Sequence, residues 1–268
     1  LAKTLAINTL AKIVDADFAR IQFTPDLLPA DILGTLIYSQ KTEEFVVKKG
    51  PIFSNFILAD EINRAPAKVQ SALLESMQER QVTIDGKCYK MGDFYTTIAT
   101  QNPVEQEGTY KLPEAQLDRF LMKITIGYPN IDDEVAILER HQQPDFSLSL
   151  EGIRPVLTME ELIEYRKLAQ QVFLETSLLR YIAEIVSQTR SSKSIHLGAS
   201  PRASVGILNA SKAFAMLRGR DFVTPEDIKF VAPFVLQHRI QLTGEAEMEG
   251  LDPLTVLHRL IEKVEVPQ

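Results

Sequence analysis

An apolar run ends in two adjacent carboxylates in the stretch Phe56-Ile57-Leu58-Ala59-Asp60-Glu61-Ile62-Asn63-Arg64-Ala65. A run of this length predicts a buried parallel strand, because both faces of such a strand are covered. Open α/β sheets bind their ligands at the carboxyl ends of the strands. Asp60 and Glu61 therefore fit a site of nucleotide hydrolysis, in which Asp60 holds Mg²⁺ and Glu61 polarises the attacking water. For the pair alone, a solvated acidic turn is the simpler interpretation, so the neighbouring motifs decide between the two.

The composition is typical of a soluble globular protein and excludes several classes of site. The chain has 268 residues, of which 45% are hydrophobic and 24% charged, and its net charge of −7 does not favour a general nucleic-acid-binding face. One cysteine, Cys88, excludes an internal disulfide, and the four histidines have no metal-ligand spacing. No stretch has the length and apolarity of a membrane span and no signal-peptide pattern is present, so the predicted location is the cytoplasm.

A fragment of a phosphate-binding loop stands at the beginning of the chain. Lys3-Thr4 open a helical pattern and match the last two residues of the P-loop pattern G-x-x-x-x-G-K-[ST]. In that loop the lysine reaches the β- and γ-phosphates and the hydroxyl binds Mg²⁺. The glycines of the pattern are absent from the given chain, and Ala2 stands where the general pattern has glycine. We therefore expect further sequence upstream, and the dipeptide alone is a weak signal.

Strand and helix patterns alternate over the first half of the chain. Strands are predicted at 19–23, 56–60, 94–100 and 123–126, with a helix at 66–80, and this alternation indicates a parallel sheet with right-handed crossovers. The third of these strands is followed by Gln101-Asn102-Pro103. Two β-hairpins are predicted, at 36–47 and at 82–89. In the second, Asp85-Gly86 supplies the positive φ angles of a type I′ turn.

Helical patterns dominate the second half. They cover 134–141, 159–172, 178–190, 203–218, 225–239 and 253–263, and Thr224-Pro225-Glu226-Asp227 is a typical helix start. Residues 144–155 are the most linker-like stretch. We therefore predict an α/β domain over 1–145 and a smaller all-helical domain over 146–268.

The candidate residues follow one another in a characteristic order along the chain. In sequence they are Lys3-Thr4, Asp60-Glu61, Asn102, Asp118-Arg119 and Arg202. This order, and above all the run 59–75 (ADEINRAPAKVQSALLE), closely resembles the MoxR family of AAA+ ATPases. Further matching runs are 21–26 (IQFTPD), 99–103 (ATQNP), 112–120 (LPEAQLDRF) and 198–202 (GASPR). The resemblance covers nearly the whole chain.

The resemblance implies a P-loop AAA+ core built on a parallel sheet, followed by a helical lid. It also implies a ring, expected to be a hexamer, with ATP bound between neighbouring subunits. Lys3 and Thr4 would end the Walker A motif, and Asp60 and Glu61 would form the Walker B pair. Mg²⁺ would be held by Thr4 and Asp60. The segment 27–53 would be the helix-2 insert, and 82–89 the pre-sensor hairpin.

Three residues outside the Walker motifs also match family positions. Asn102 matches sensor 1, Arg119 the arginine finger donated to a neighbour's ATP, and Arg202 sensor 2 on the lid. An arginine suits the finger because its fork stays charged and fits phosphate oxygens. Each has a simpler alternative: Asn102 could end an ordinary turn, and either arginine could pair with a nearby acid. Arg64 is a second candidate for the finger, but a salt bridge on the surface of a helix explains it at least as well.

The leading functional prediction is an ATP-driven, chaperone-like protein that remodels or matures protein partners. The resemblance suggests that these include proteins with a von Willebrand factor A domain. One alternative is a nucleotide-responsive scaffold with little turnover, but the presence of both Glu61 and Arg119 argues against it. A nucleic-acid translocase is another, but the acidic chain has no evident aromatic–basic run.

Overall fold

The protein forms two compact units. The computed structural model describes residues 3–101, 110, 112–142, 150 and 152–267. One unit, the N-terminal unit, comprises 1–110 and 124–159, and the other, the C-terminal unit, comprises 111–123 and 160–268. The short segment 111–123 thus belongs with the C-terminal half of the chain. The predicted domain boundary at 145/146 stays a prediction.

Helices and strands follow one another in the chain with short connections. In order they are α1 (Lys3–Ile13), β1 (Phe18–Gln22), α2 (Pro29–Leu33), β2 (Gly34–Ser39), β3 (Glu44–Lys49), β4 (Phe56–Asp60), α3 (Ala67–Glu79), β5 (Gln81–Ile84), β6 (Lys87–Lys90), β7 (Thr96–Ala99), α4 (Glu114–Leu117), α5 (Ile131–His141), α6 (Met159–Gln171), α7 (Thr176–Ser191), β8 (Ile195–Leu197), α8 (Pro201–Leu217), α9 (Pro225–Leu236), β9 (Gln241–Leu242), α10 (Gly244–Met248) and α11 (Pro253–Lys263). Single 3₁₀ turns lie at Pro51–Phe53 and Ile62–Arg64.

A parallel sheet lies at the centre of the N-terminal unit. Its strand order is β1-β4-β7, and both neighbours run parallel to β4. The first four residues of β4 are buried, as the apolar run predicts for a strand covered on both faces. Helix α1 packs against β1 and β4. The predicted parallel α/β core is confirmed.

The register brings the carboxyl ends of the three strands to one edge of the sheet. Gln22 pairs with Asp60, and Ala59 pairs with Ala99. The side chains that follow Ala59 and Ala99 therefore lie beside each other. This edge is where an open α/β sheet binds its ligand.

Both predicted hairpins are present in the N-terminal unit. Strands β2 and β3 pair antiparallel, and so do β5 and β6. Asp85 and Gly86 connect the second pair with φ angles of 48° and 75°. These positive values are those of the type I′ turn predicted from the Asp-Gly dipeptide.

The predicted strand at 123–126 is wrong. Residues 122–130 contain no regular element, and no strand within the described ranges pairs with them. The Lys123 N–H donates to the Phe234 carbonyl at 2.9 Å, and the side chains of Ile124 and Ile126 are exposed. A β-branched run becomes a strand only where a neighbouring backbone completes the hydrogen bonds. Here the Lys123 N–H donates to a helix carbonyl and not to a strand.

The C-terminal unit packs its helices around one apolar cluster. Helices α7, α8, α9 and α11 contribute Ile185, Ile207, Ile228 and Leu257, all fully buried. The helical predictions for this region are confirmed, with one addition, the two-stranded pair of β8 and β9. None of the helices in the described part of the chain has the length and apolarity needed to cross a membrane.

Candidate functional site

Thr100 connects the two candidate carboxylates at the edge of the sheet. It follows β7, and its hydroxyl donates to Asp60 Oδ1 at 2.5 Å. The Thr100 Oγ1 atom also accepts the backbone N–H of Glu61 at 3.0 Å. One threonine thus holds an Asp60 oxygen and the main chain of Glu61 in fixed positions.

Asp60 is an ionised carboxylate with a cation on its second oxygen. Arg20, on β1, donates from Nε and Nη2 to Asp60 Oδ2 at 3.0 and 2.7 Å. Burial raises the pKa of Asp60, but the hydrogen bonds from Thr100 and Arg20 and the charges of Arg20 and Lys3 outweigh it. The pKa therefore lies below the usual range of an aspartate. The guanidinium is half-exposed, so this partner can exchange with another cation.

Glu61 has a left-handed backbone conformation, with φ 56° and ψ 48°. This conformation costs roughly 1–2 kcal/mol for a residue other than glycine. Its Oε2 accepts a hydrogen bond from Gln22 Nε2 at 2.9 Å and lies 3.3 Å from Arg64 Nη1. The sharp turn places the Glu61 carboxylate beside the end of β1 and next to Asp60.

Lys3 and Thr4 lie half-buried at the start of α1, in the same unit as Asp60. The Lys3 charge contributes to the low pKa of Asp60. The described residues contain no group of three His, Cys, Asp or Glu side chains that could cage a metal ion. Mg²⁺ in phosphate sites takes only one or two protein oxygens and completes its shell with phosphates and water. The oxygen donors of Thr4 and Asp60 therefore fit it.

The structure divides the remaining candidates between the two units. Asn102 lies outside the described residues. Arg119 and Arg202 both belong to the C-terminal unit, where Arg119 is exposed and Arg202 Nη1 lies 3.5 Å from Asp118 Oδ2. Arg64, the second finger candidate, lies beside Glu61 in the N-terminal unit. The roles of these residues stay predictions.

Sequence reasoning missed Arg20, Gln22 and Thr100. Arg20 and Gln22 are two residues apart on β1, so both side chains point to the same face. Polar residues at alternating positions of this strand, whose last two residues begin the run IQFTPD, were the available signal. Thr100 was predicted only as the last residue of the strand at 94–100, and nothing in the sequence gave its distance from Asp60.

The comparisons with known proteins agree with this architecture. The family described as "ATPase family associated with various cellular activities (AAA)" matches residues 1–122, and the "AAA lid domain" matches residues 187–260. The chain is 47% identical over 265 residues to the uncharacterized protein YeaC of Bacillus subtilis, an alignment that covers 99% of this chain and 82% of the relative.

Two further relatives complete the assignment. The Chaperone MoxR1 of Mycobacterium tuberculosis is 46% identical over 276 residues, covering 100% of this chain and 72% of the relative. The crystal structure of a candidate ATPase from Cytophaga hutchinsonii has a TM-score of 0.91 and 48% identity, covering 100% of this chain and 83% of that one. The chain therefore belongs to the MoxR family of AAA+ ATPases. ATP hydrolysis is a property of this family.

Proposed function

We propose that this chain binds ATP with Mg²⁺ and hydrolyses it to ADP and phosphate. The observation that carries the proposal is the pair Asp60–Glu61 at the carboxyl end of β4, within the field of Lys3. The family supports ATP hydrolysis as its common activity. Mg²⁺, when bound by Thr4 and Asp60, neutralises charge on the phosphates.

The surrounding side chains keep the two carboxylates in different roles. Asp60 stays ionised because of Thr100 and Arg20, as a ligand for a cation requires. Glu61, held by Gln22 and Arg64, orients a water molecule for attack. Lys3 binds the phosphates, and Asn102 positions the water.

The hydrolysis serves a chaperone-like action on protein partners. The name of the mycobacterial relative, Chaperone MoxR1, supports a chaperone role. We propose a ring, expected to be a hexamer, in which Arg119 completes the neighbour's site and Arg202 contacts the subunit's own nucleotide. Partners with a von Willebrand factor A domain and a cytoplasmic location complete the proposal.

Replacing Glu61 by glutamine tests the hydrolysis directly. In the complete protein, Glu61→Gln should bind ATP normally and lose turnover by about a hundredfold or more, because an amide is a poor proton acceptor for water. The control is Glu75→Gln, an exposed acid on α3 that should leave turnover unchanged. Normal hydrolysis by Glu61→Gln would refute the role of Glu61. Stimulation of the wild-type protein by DNA would favour a translocase instead.

Mixing two inactive proteins tests the shared site. Arg119→Ala should fold and bind ATP but hydrolyse it poorly, since a finger contributes about 10³- to 10⁵-fold in rate. An Asp60→Ala/Glu61→Gln protein keeps its finger and lacks a working site of its own. Mixed rings should regain part of the activity, because some sites then combine an intact Walker B pair with an intact finger. No recovery in rings shown to contain both proteins would argue against Arg119 acting between subunits.

A further inference from the structure

Thr100 binds the turn of Asp60 and Glu61 with both its backbone groups and its hydroxyl. Its backbone N–H donates to the Ala59 carbonyl at 2.9 Å, and its backbone carbonyl accepts the Ile62 N–H at 3.1 Å. The hydroxyl oxygen accepts the Glu61 N–H, and the hydroxyl hydrogen goes to Asp60 Oδ1. Four consecutive residues are therefore bound to one threonine that is only 8% exposed.

The bond to the Glu61 N–H fixes the direction of the bond to Asp60. An N–H can only donate, so the Thr100 oxygen is the acceptor there, and the single hydroxyl hydrogen is left for Asp60 Oδ1. This bond of 2.5 Å is short, as expected for a hydroxyl that donates to a charged oxygen. The other oxygen, Oδ2, accepts from the half-exposed Arg20. Because the threonine is buried and the guanidinium is half-exposed, Oδ2 is the oxygen at which cations can exchange.

A buried glutamine on α3 holds the other side of the same turn. Gln70 is 1% exposed, and its Nε2 donates to the Ile62 carbonyl at 3.0 Å and to the Tyr110 carbonyl at 3.2 Å. The Tyr110 N–H in turn donates to the Asn63 carbonyl at 2.6 Å. The main chain that follows the two carboxylates is thus fixed independently of the threonine hydroxyl. Removing that hydroxyl should therefore leave the turn folded and release only the two bonds that the hydroxyl makes.

We propose that Thr100 is a positioning residue for ATP hydrolysis that acts through Asp60 and Glu61. Its hydroxyl holds Asp60 Oδ1, so the carboxylate keeps its orientation while the cation on Oδ2 changes. By accepting the Glu61 N–H, it also stabilises the unfavourable left-handed backbone that sets the direction of the Glu61 side chain. This inference rests on the proposed function, in which Asp60 holds a cation and Glu61 orients water.

A graded series at position 100 tests the proposal in the complete assembled protein. Thr100→Ser keeps the hydroxyl, Thr100→Cys keeps a weak donor, and Thr100→Val keeps the shape of threonine without a donor or an acceptor. At saturating ATP and Mg²⁺, turnover should be close to wild type in Thr100→Ser and about ten- to a hundredfold slower in Thr100→Val, because a small displacement of reacting groups costs this much. Thr100→Cys should lie between them. KM should change by no more than about twofold, the pattern of an interaction that matters in the transition state alone.

Two further measurements do not depend on turnover. Without nucleotide, the Glu61 N–H should exchange its hydrogen about tenfold faster in Thr100→Val, because it has lost its acceptor. The affinity for adenylyl imidodiphosphate in EDTA should be unchanged, whereas the gain in affinity on adding Mg²⁺ should be about threefold smaller, since the Asp60 carboxylate is no longer held. The matched control is Thr96→Val, the same change at the opposite end of β7, where Thr96 pairs with Phe56. It should leave all of these values at wild type.

Wild-type turnover by Thr100→Val would overturn the inference. Equally slow turnover by Thr100→Ser and Thr100→Val would also overturn it, because packing of the methyl group and not the hydroxyl would then be responsible. If Thr100→Val does not fold, the comparison of Thr100→Ser with Thr100→Cys decides, and equal turnover in these two would contradict the role of the hydroxyl. Failure of the proposed function gives a different result, since Glu61→Gln would then hydrolyse ATP normally with threonine still at position 100.

Discussion

Asp60 and Asp118 each accept hydrogen bonds from an arginine and a hydroxyl, but the arginine on Asp60, Arg20, is half-exposed, whereas the arginine that donates to Asp118, Arg239, is buried. Arg20 is half-exposed, donates to Asp60 Oδ2 and also donates to Gln22 Oε1. Arg239 is buried and bonds four backbone carbonyls in addition to Asp118. The first arrangement keeps a carboxylate charged and available to another cation, whereas the second fixes a stretch of main chain. The same type of ion pair therefore allows cations to exchange at Asp60 and fixes the position of the main chain around Asp118.

Removing the two arginines is the strongest test of this difference. Arg239→Ala should lower the free energy of unfolding of the C-terminal unit by about 3 kcal/mol or more, since it leaves a buried acid and several carbonyls without their donor. Arg20→Ala should change the stability of the N-terminal unit by less than about 1 kcal/mol, as exposed ion pairs do. Urea unfolding followed by hydrogen exchange in each unit measures both. Equal losses of stability in the two variants would show that Arg20 and Arg239 do not differ in this way.

Acidification should lower the stability of the C-terminal unit, which contains His238, and leave Asp60 ionised. Burial, with the charges of Arg239 and Lys123, lowers the pKa of His238 to about 4, although the Phe120 carbonyl and Asp118 act in the opposite direction. The unfolded chain takes up this proton near pH 6.5. Below that pH the unfolded state binds more protons, so stability falls until about pH 4, by up to about 3 kcal/mol.

A histidine substitution isolates this effect. His238→Gln keeps a donor for the Phe120 carbonyl and cannot titrate, so the stability of the C-terminal unit should depend less on pH between 6.5 and 4. His196→Gln, at an exposed position of the same unit, is the control. Unfolding midpoints measured across this range decide the matter. A wild-type slope in His238→Gln would show that another group titrates.

The smallest expected effect concerns the exchange of Arg20 for Mg²⁺. Because Arg20 competes for Asp60 Oδ2, Arg20→Ala should lower the Mg²⁺ concentration for half-maximal hydrolysis by about two- to fivefold, the equivalent of an exposed ion pair. Arg180→Ala, which breaks an exposed pair with Glu184 on α7, is the control. A higher Mg²⁺ requirement in Arg20→Ala would mean that Arg20 assists the ion and does not compete with it.

The sequence allowed prediction where the signal is local. The apolar run before Asp60, the Asp85-Gly86 turn and the cap at Thr224 each depend on a few neighbouring residues, and all three elements are present. The bond from Arg239 to Asp118 joins residues 121 positions apart, and that from Arg20 to Asp60 joins residues 40 apart. A periodic pattern in the sequence does not show which residues come into contact over such separations. Such contacts arise from strand register and helix packing, which only the folded chain defines.

The wrong strand at 123–126 has the same physical origin. Its composition suits a strand, but a strand also needs a partner, and composition does not report what lies beside it. Asn102 stays a prediction because it lies outside the described residues. The family roles of Arg119 and Arg202 depend on a neighbour and a nucleotide, neither of which a single chain contains.

The backbone of Glu61 has a consequence for protein engineering. Its left-handed conformation suits glycine or asparagine better than glutamate. A screen for heat-resistant variants would therefore be expected to select these residues at position 61, with a gain of roughly 1 kcal/mol, and to return proteins that melt later and no longer turn over. At this one residue, thermal robustness and catalytic competence select different side chains.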